Sequence, residues 1–224
     1  MRIFVYGMQS SGASLFTYWL SQLENYIGVI DLWATFYPAG RHILSNENII
    51  LKSTVSFLDL RQHLTLFEPD KKILFIRNPY HNYHSLSLKH YINDGGNIND
   101  KFIKMDKIFS EMSSLFDVII TYEDFIVNQE KTLKSLNQIN IPMNRDHFKF
   151  NRSIKDIEDF NHSNSEWLKR GNMIYWGNGN IHQNNVQNNL KLINNKIEDK
   201  TSTQVNLLCP NLTKFYNYEN NHPK

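Results

Sequence analysis

The chain has 224 residues, 41% hydrophobic and 13% aromatic, with a formal net charge of +2. That length and apolar content suit one folded domain with a substantial core and exclude a disordered chain. The near balance of charge excludes a broad nucleic-acid-binding surface, which needs a strong basic excess, but leaves room for a local basic pocket.

Short apolar runs at 2–6, 27–31, 48–52, 72–76 and 117–121 predict strands covered on both faces. Helical patterns fall between and after them, at 14–24, 56–67, 80–91, 101–115 and 128–138. The alternation implies an α/β, three-layer fold with a central parallel sheet and helices on both faces. Right-handed crossovers then gather the loops after the strands along one edge, where such folds bind ligands. From about residue 150 the pattern weakens. The polar segment 151–185, interrupted by aromatics and glycines, reads as a long structured loop or lid, and 186–224 as a C-terminal helix and tail, poorly ordered after about 213. The expected organisation is a single domain over 1–224 with its core in about 1–150.

Cys209 is the one cysteine. It has no internal disulfide partner and no surrounding cluster at metal-ligand spacing. A reducing compartment is the simplest reading. Neither an apolar leader core nor a run of membrane-spanning length stands out, so the expectation is a soluble cytoplasmic protein with no membrane span.

The first strand-to-helix turn is Gly7-Met8-Gln9-Ser10-Ser11-Gly12-Ala13-Ser14. It has the spacing of a phosphate-binding P-loop, in which backbone amides and a helix N-terminus converge on an anion. Ala13 stands where a nucleoside triphosphatase needs lysine, and Ser14 keeps the hydroxyl. The loop therefore suits a phosphate without the usual equipment for ATP hydrolysis. A second site follows the run 72–76, where Arg77-Asn78-Pro79-Tyr80 leads into a helix that carries Ser85. Proline suits the first helical turn, and a strand-end arginine offers a fork of donors to a phosphate. Taken alone, such an arginine more often caps or pairs locally.

The two motifs together, in this order and with serine eight positions after the arginine, resemble the sulfotransferases that use 3′-phosphoadenosine 5′-phosphosulfate (PAPS) and release 3′,5′-adenosine bisphosphate (PAP). The resemblance implies that Ser10, Ser11, Gly12, Ala13 and Ser14 hold the 5′-phosphosulfate and that Arg77 and Ser85 hold the 3′-phosphate. The segment Val118–Phe125 looks like the family's strand ending in Tyr-Glu-Asp, which places Tyr122 near the adenine. Lys169-Arg170-Gly171, with Trp176 beyond, looks like a permuted form of the late loop that closes over the 3′-phosphate. The resemblance covers roughly residues 2–180.

The chain departs from the family at two places. Ser10 stands where the loop usually has Lys or Arg, and Thr54 stands where cytosolic members have a histidine base. Lys52, read as ending its strand, is the best replacement for the missing charge, against the plainer reading of a solvated strand-end lysine. Asp31 is the first candidate base, with a capping role about as plausible; His42 and Glu47 are weaker. His81 and His84 read as ordinary helix positions that are able to line the pocket, and Tyr18 and Trp19 as core. The implied reaction is sulfuryl transfer from PAPS, without metal or nucleic acid, to a small-molecule or saccharide acceptor. The alternatives are a P-loop phosphotransferase and an inactive binding protein of the same fold.

Overall fold

The computed structural model describes residues 1–23, 26–30, 48–55, 59–148, 158–159, 173–175 and 199–221. The first part of the chain forms β1 (Arg2–Gly7), α1 (Ala13–Leu20), β2 (Ile27–Ile30), β3 (Ile49–Thr54), α2 (Leu60–Phe67), β4 (Lys71–Ile76) and α3 (Pro79–Ser87). There follow α4 (Ile98–Met112), β5 (Val118–Thr121), α5 (Tyr122–Val127), α6 (Gln129–Gln138), β6 (Glu158–Asp159), β7 (Met173–Tyr175), α7 (Asp199–Leu208) and α8 (Pro210–Asn221).

The strands form one sheet in the order β5-β4-β1-β3-β2-β7-β6, and every pairing is parallel. β1 is flanked by β3 and β4, so the chain runs to one side of β1 first and to the other side later. The loop after β1 therefore lies at the point where the winding reverses, the usual place for a ligand. Successive residues of β1 serve opposite faces. Phe4 and Tyr6 join a core with α2, α4 and α8 residues such as Phe67, Phe102 and Leu212. Ile3 and Val5 join a second core with Phe16 and Trp19 of α1, Phe125 of α5 and Leu136 of α6. Both faces are covered, which explains the uninterrupted apolar strands.

The structure corrects several boundaries. β3 continues two residues beyond the expected end, because Ser53 and Thr54 pair with Tyr6 and Gly7. The segment 151–185 is more than a loop: β6 and β7 within it extend the sheet beyond β2. The residues after 213 continue α8, whose start is tied to α4 by Asp106, which accepts from the Leu212 amide and the Asn211 side chain, each at 2.8 Å. No described helix is long and apolar enough to cross a membrane.

Candidate anion-binding site

The loop between β1 and α1 is shaped by two backbone reversals. Ser10 has φ 59° and Gly12 has φ 92°, both in the left-handed region, while the residues around them do not. Such alternation turns successive amides toward one concavity. At Gly12 the chain enters α1 with no side-chain cap. The Ala13 amide turns back to Ser11 Oγ at 3.3 Å. The next amides of the first turn are then left to a ligand by helix geometry. Ser10, Gly12 and Ser14 are partly exposed, whereas Ser11 and Ala13 are buried. Ala13, at the position of the usual lysine, belongs to the core beneath α1.

The loop is fastened from three sides. Arg77 Nη1 donates to the Ser10 carbonyl at 2.9 Å, and Asn82 Nδ2 to the Gln9 carbonyl at 2.7 Å. Lys101 Nζ, from α4, donates to Gln9 Oε1 at 2.7 Å and to the Ile92 carbonyl at 2.8 Å. Tyr91 adds a hydroxyl contact with Ser10 Oγ at 3.3 Å. These fastenings account for a non-glycine residue at positive φ: the surrounding contacts hold Ser10 in a costly conformation.

Arg77 stands just past β4, 4% exposed. Its guanidinium lies over the Tyr122 ring, 4.7 Å from the centroid. The same ring crowds Gly12, where a Cβ would come within 2.5 Å of Tyr122 Cδ2. Tyr122 thus braces both halves of the site. Beyond its bond to Ser10, Arg77 has Nε and Nη2 buried with no hydrogen-bond partner among the described residues. Burial lowers its affinity for the proton, an effect opposed by Tyr122, Glu123 and Tyr216. Glu123 is shifted the opposite way, with burial raising its value against hydrogen bonds and the nearby Arg77 charge. Its two oxygens accept from the Asn78 amide and the Tyr216 hydroxyl, each at 3.0 Å. Asn78 caps α3, accepting from the Tyr80 amide at 3.1 Å, with Pro79 in the first turn. Arg77 is thereby set at the mouth of the loop by β4, α3 and α5 together.

The structure brings the predicted loop residues, Arg77 and Tyr122 into one place. Tyr122, expected near an adenine, is fully buried, with its ring against Gly12 and under the Arg77 guanidinium. Ser85 is half-buried on α3, one turn beyond Asn82. Lys52 is 3% exposed and lies two residues inside β3, opposite Val5 and Ile30, so it is neither strand-terminal nor solvated. Thr54 is the residue that ends β3, opposite Gly7 at the loop's start. Trp19 is buried in the core under α1. Asp31, His42, Glu47, Lys169, Arg170, Gly171 and Trp176 lie outside the described residues.

Sequence reasoning missed Gln9, Asn82, Lys101 and Glu123. One signal was available for Lys101. It interrupts the buried stripe Ile98, Phe102, Met105, Ile108 of an amphipathic helix, where a lysine needs a polar partner.

The strand order, with the glycine-bounded loop joining β1 to α1, defines a P-loop-type α/β fold. No protein-family model matches the chain, and no curated protein matches it. Among solved structures, the chain is similar to shikimate kinase from Bacteroides thetaiotaomicron, at 16% identity and TM-score 0.36, covering 62% of this chain and 95% of that one. A mouse sulfotransferase complexed with PAP is similar at 14% identity and TM-score 0.43, covering 66% of this chain. The match spans 60% of that sulfotransferase.

Proposed function

We propose that the chain is a sulfotransferase that moves a sulfuryl group from PAPS to a hydroxyl or amine acceptor. The observation that supports this reading is Arg77. A buried guanidinium with two nitrogens unsatisfied among the described residues, joined to the backbone of an anion loop, fits a phosphate that the loop itself does not hold. A donor with two separated phosphate groups meets that demand, one group on the loop amides and Ser14 and the other on Arg77 with Ser85. In the reaction the acceptor oxygen or nitrogen forms a bond to sulfur as the bridging S–O bond breaks, PAP departs, and the acceptor's proton passes to a base. Positioning and charge stabilisation dominate such an in-line transfer.

Calorimetry tests the reading. PAP binds the wild-type chain without magnesium, and Arg77→Gln weakens it by about 100-fold or more, the loss of a charge-assisted pair. Magnesium-dependent ATP binding without any response to PAP favours the phosphotransferase alternative and overturns the proposal. Radiolabelled-sulfate transfer into an acceptor mixture then separates an enzyme from a silent relative, with Lys52→Ala as the comparison.

A further inference from the structure

A carboxylate stands beside Arg77 and does not pair with it. Ile76 is opposite Thr121 at the ends of β4 and β5, so the chain continues as two neighbouring dipeptides, Arg77-Asn78 and Tyr122-Glu123. Two contacts join them: the guanidinium lies over the Tyr122 ring at 4.7 Å, and the Asn78 amide donates to Glu123 Oε1 at 3.0 Å. The other oxygen, Oε2, accepts from the Tyr216 hydroxyl at 3.0 Å. Both oxygens are thus taken by donors other than the guanidinium, whose Nε and Nη2 have no hydrogen-bond partner among the described residues. A carboxylate bonded to the residue after an arginine is within a side chain's reach of the guanidinium. Their attraction is strong at a buried site, and the arginine fork matches a carboxylate with two parallel bonds. The Asn78 bond alone leaves Oε2 able to turn toward that fork, so the Tyr216 hydroxyl is the restraint. It sits on a firm base. Tyr216 is 4% exposed and lies one turn beyond Leu212, whose amide donates to Asp106 of α4 at 2.8 Å.

We infer that Tyr216 is a positioning residue for the anion site: it holds Glu123 off Arg77 and so reserves two guanidinium donors for a ligand. This rests on the reading that Arg77 binds a phosphate of PAP. Glu123 is then a competitor built into the site, and α8 is the element that keeps it parked. When the hydroxyl is lost, Glu123 turns onto Nε and Nη2, and a ligand has to displace it.

Tyr216→Phe removes one oxygen and leaves the ring in its core. The first measurement needs no ligand. The NMR signal of the Arg77 Nε–H moves downfield and exchanges more slowly in Tyr216→Phe than in the wild type, and it returns in Tyr216→Phe/Glu123→Gln. The second is PAP calorimetry. Binding weakens about tenfold or more in Tyr216→Phe, the effect of a charge-assisted bond that the ligand must now break. The double variant recovers most of that loss although both groups are gone. A tyrosine that merely braced the site would give the opposite order, with the double variant binding worst. An unmoved signal, equal affinity in the wild type and Tyr216→Phe, or a loss that Glu123→Gln deepens overturns the inference. If the wild type does not bind PAP while the signal moves and returns, the hold on Glu123 stands and the sulfotransferase reading falls. If PAP binds the wild type and Tyr216→Phe alike, the inference falls and that reading stands.

Discussion

Gly12 is the residue with the least freedom in the site. Its φ of 92° is one that L side chains rarely adopt, and a Cβ there would meet the Tyr122 ring at 2.5 Å. The ring is itself pinned beneath Arg77. Gly12→Ala should therefore cost about 2–4 kcal/mol, from backbone strain plus overpacking, and should lower anion affinity by displacing the loop. Urea unfolding measures the first effect and PAP titration the second; an unchanged midpoint would show that Tyr122 gives way. Gly7, Gly12, Ser14 and Arg77 were legible in the sequence because their spacing is local and tied to strand ends. The fastenings were not. Asn82 and Lys101 meet Gln9 across 73 and 92 positions, and no local pattern records such a meeting.

α4 has two duties. Its apolar stripe packs against the sheet, and Lys101 in the same stripe reaches the loop. Lys101→Met keeps the packing volume but strands the Ile92 carbonyl and the Gln9 amide oxygen. The expected loss is about 1–3 kcal/mol in thermal or urea unfolding, with weaker anion binding because Gln9 is released. A variant with wild-type stability and affinity would mean that water replaces the ammonium without consequence. Helix positions were mostly legible from the apolar period, with ends displaced by a few residues where caps decide: Asp59 starts α2 by accepting from the Arg61 amide, and Asn97 starts α4 by accepting from the Asn99 amide. α5 was hidden because the Tyr-Glu-Asp run reads as the end of a strand. In the structure Thr121 caps a helix there, accepting from the Asp124 amide at 3.0 Å. β6 and β7 were illegible for a different reason: at two and three residues they are too short to show a period, and pairing with each other and with β2 supplies what local propensity lacks; in 186–224, expected as a C-terminal helix and tail, α8 is anchored on Asp106.

The molecule as a whole should lose stability in mild acid. His63, buried on α2, hydrogen bonds with Ser53 of β3 at 2.7 Å and is lowered from 6.5 to about 4, chiefly by burial and then by Lys104, against Asp59. Its folded value lies below its unfolded one, so between those values the unfolded chain binds more protons. Stability is then full above about pH 6.5 and falls as pH drops toward about 4, by ~3 kcal/mol at most. His81 acts in the same direction in the ligand-free chain, while Glu123, raised by burial, opposes it. Thermal melts from pH 7.5 to 4.5 measure the slope, and His63→Gln should flatten it; an undiminished slope in that variant would assign the effect to other groups. The parallel sheet and both helical layers were foreseeable from alternation, but the strand order was not, nor was the support behind Arg77, because Glu123 joins Asn78 to Tyr216 across 45 and 93 positions. That span has a consequence for biosynthesis. A ribosome delivers the loop and Arg77 early, but the hydroxyl that completes the backing of the arginine arrives only with α8. A growing chain can fold its central strands before that backing is in place, and an anion held as proposed would stabilise a polypeptide that already includes α8 rather than earlier intermediates.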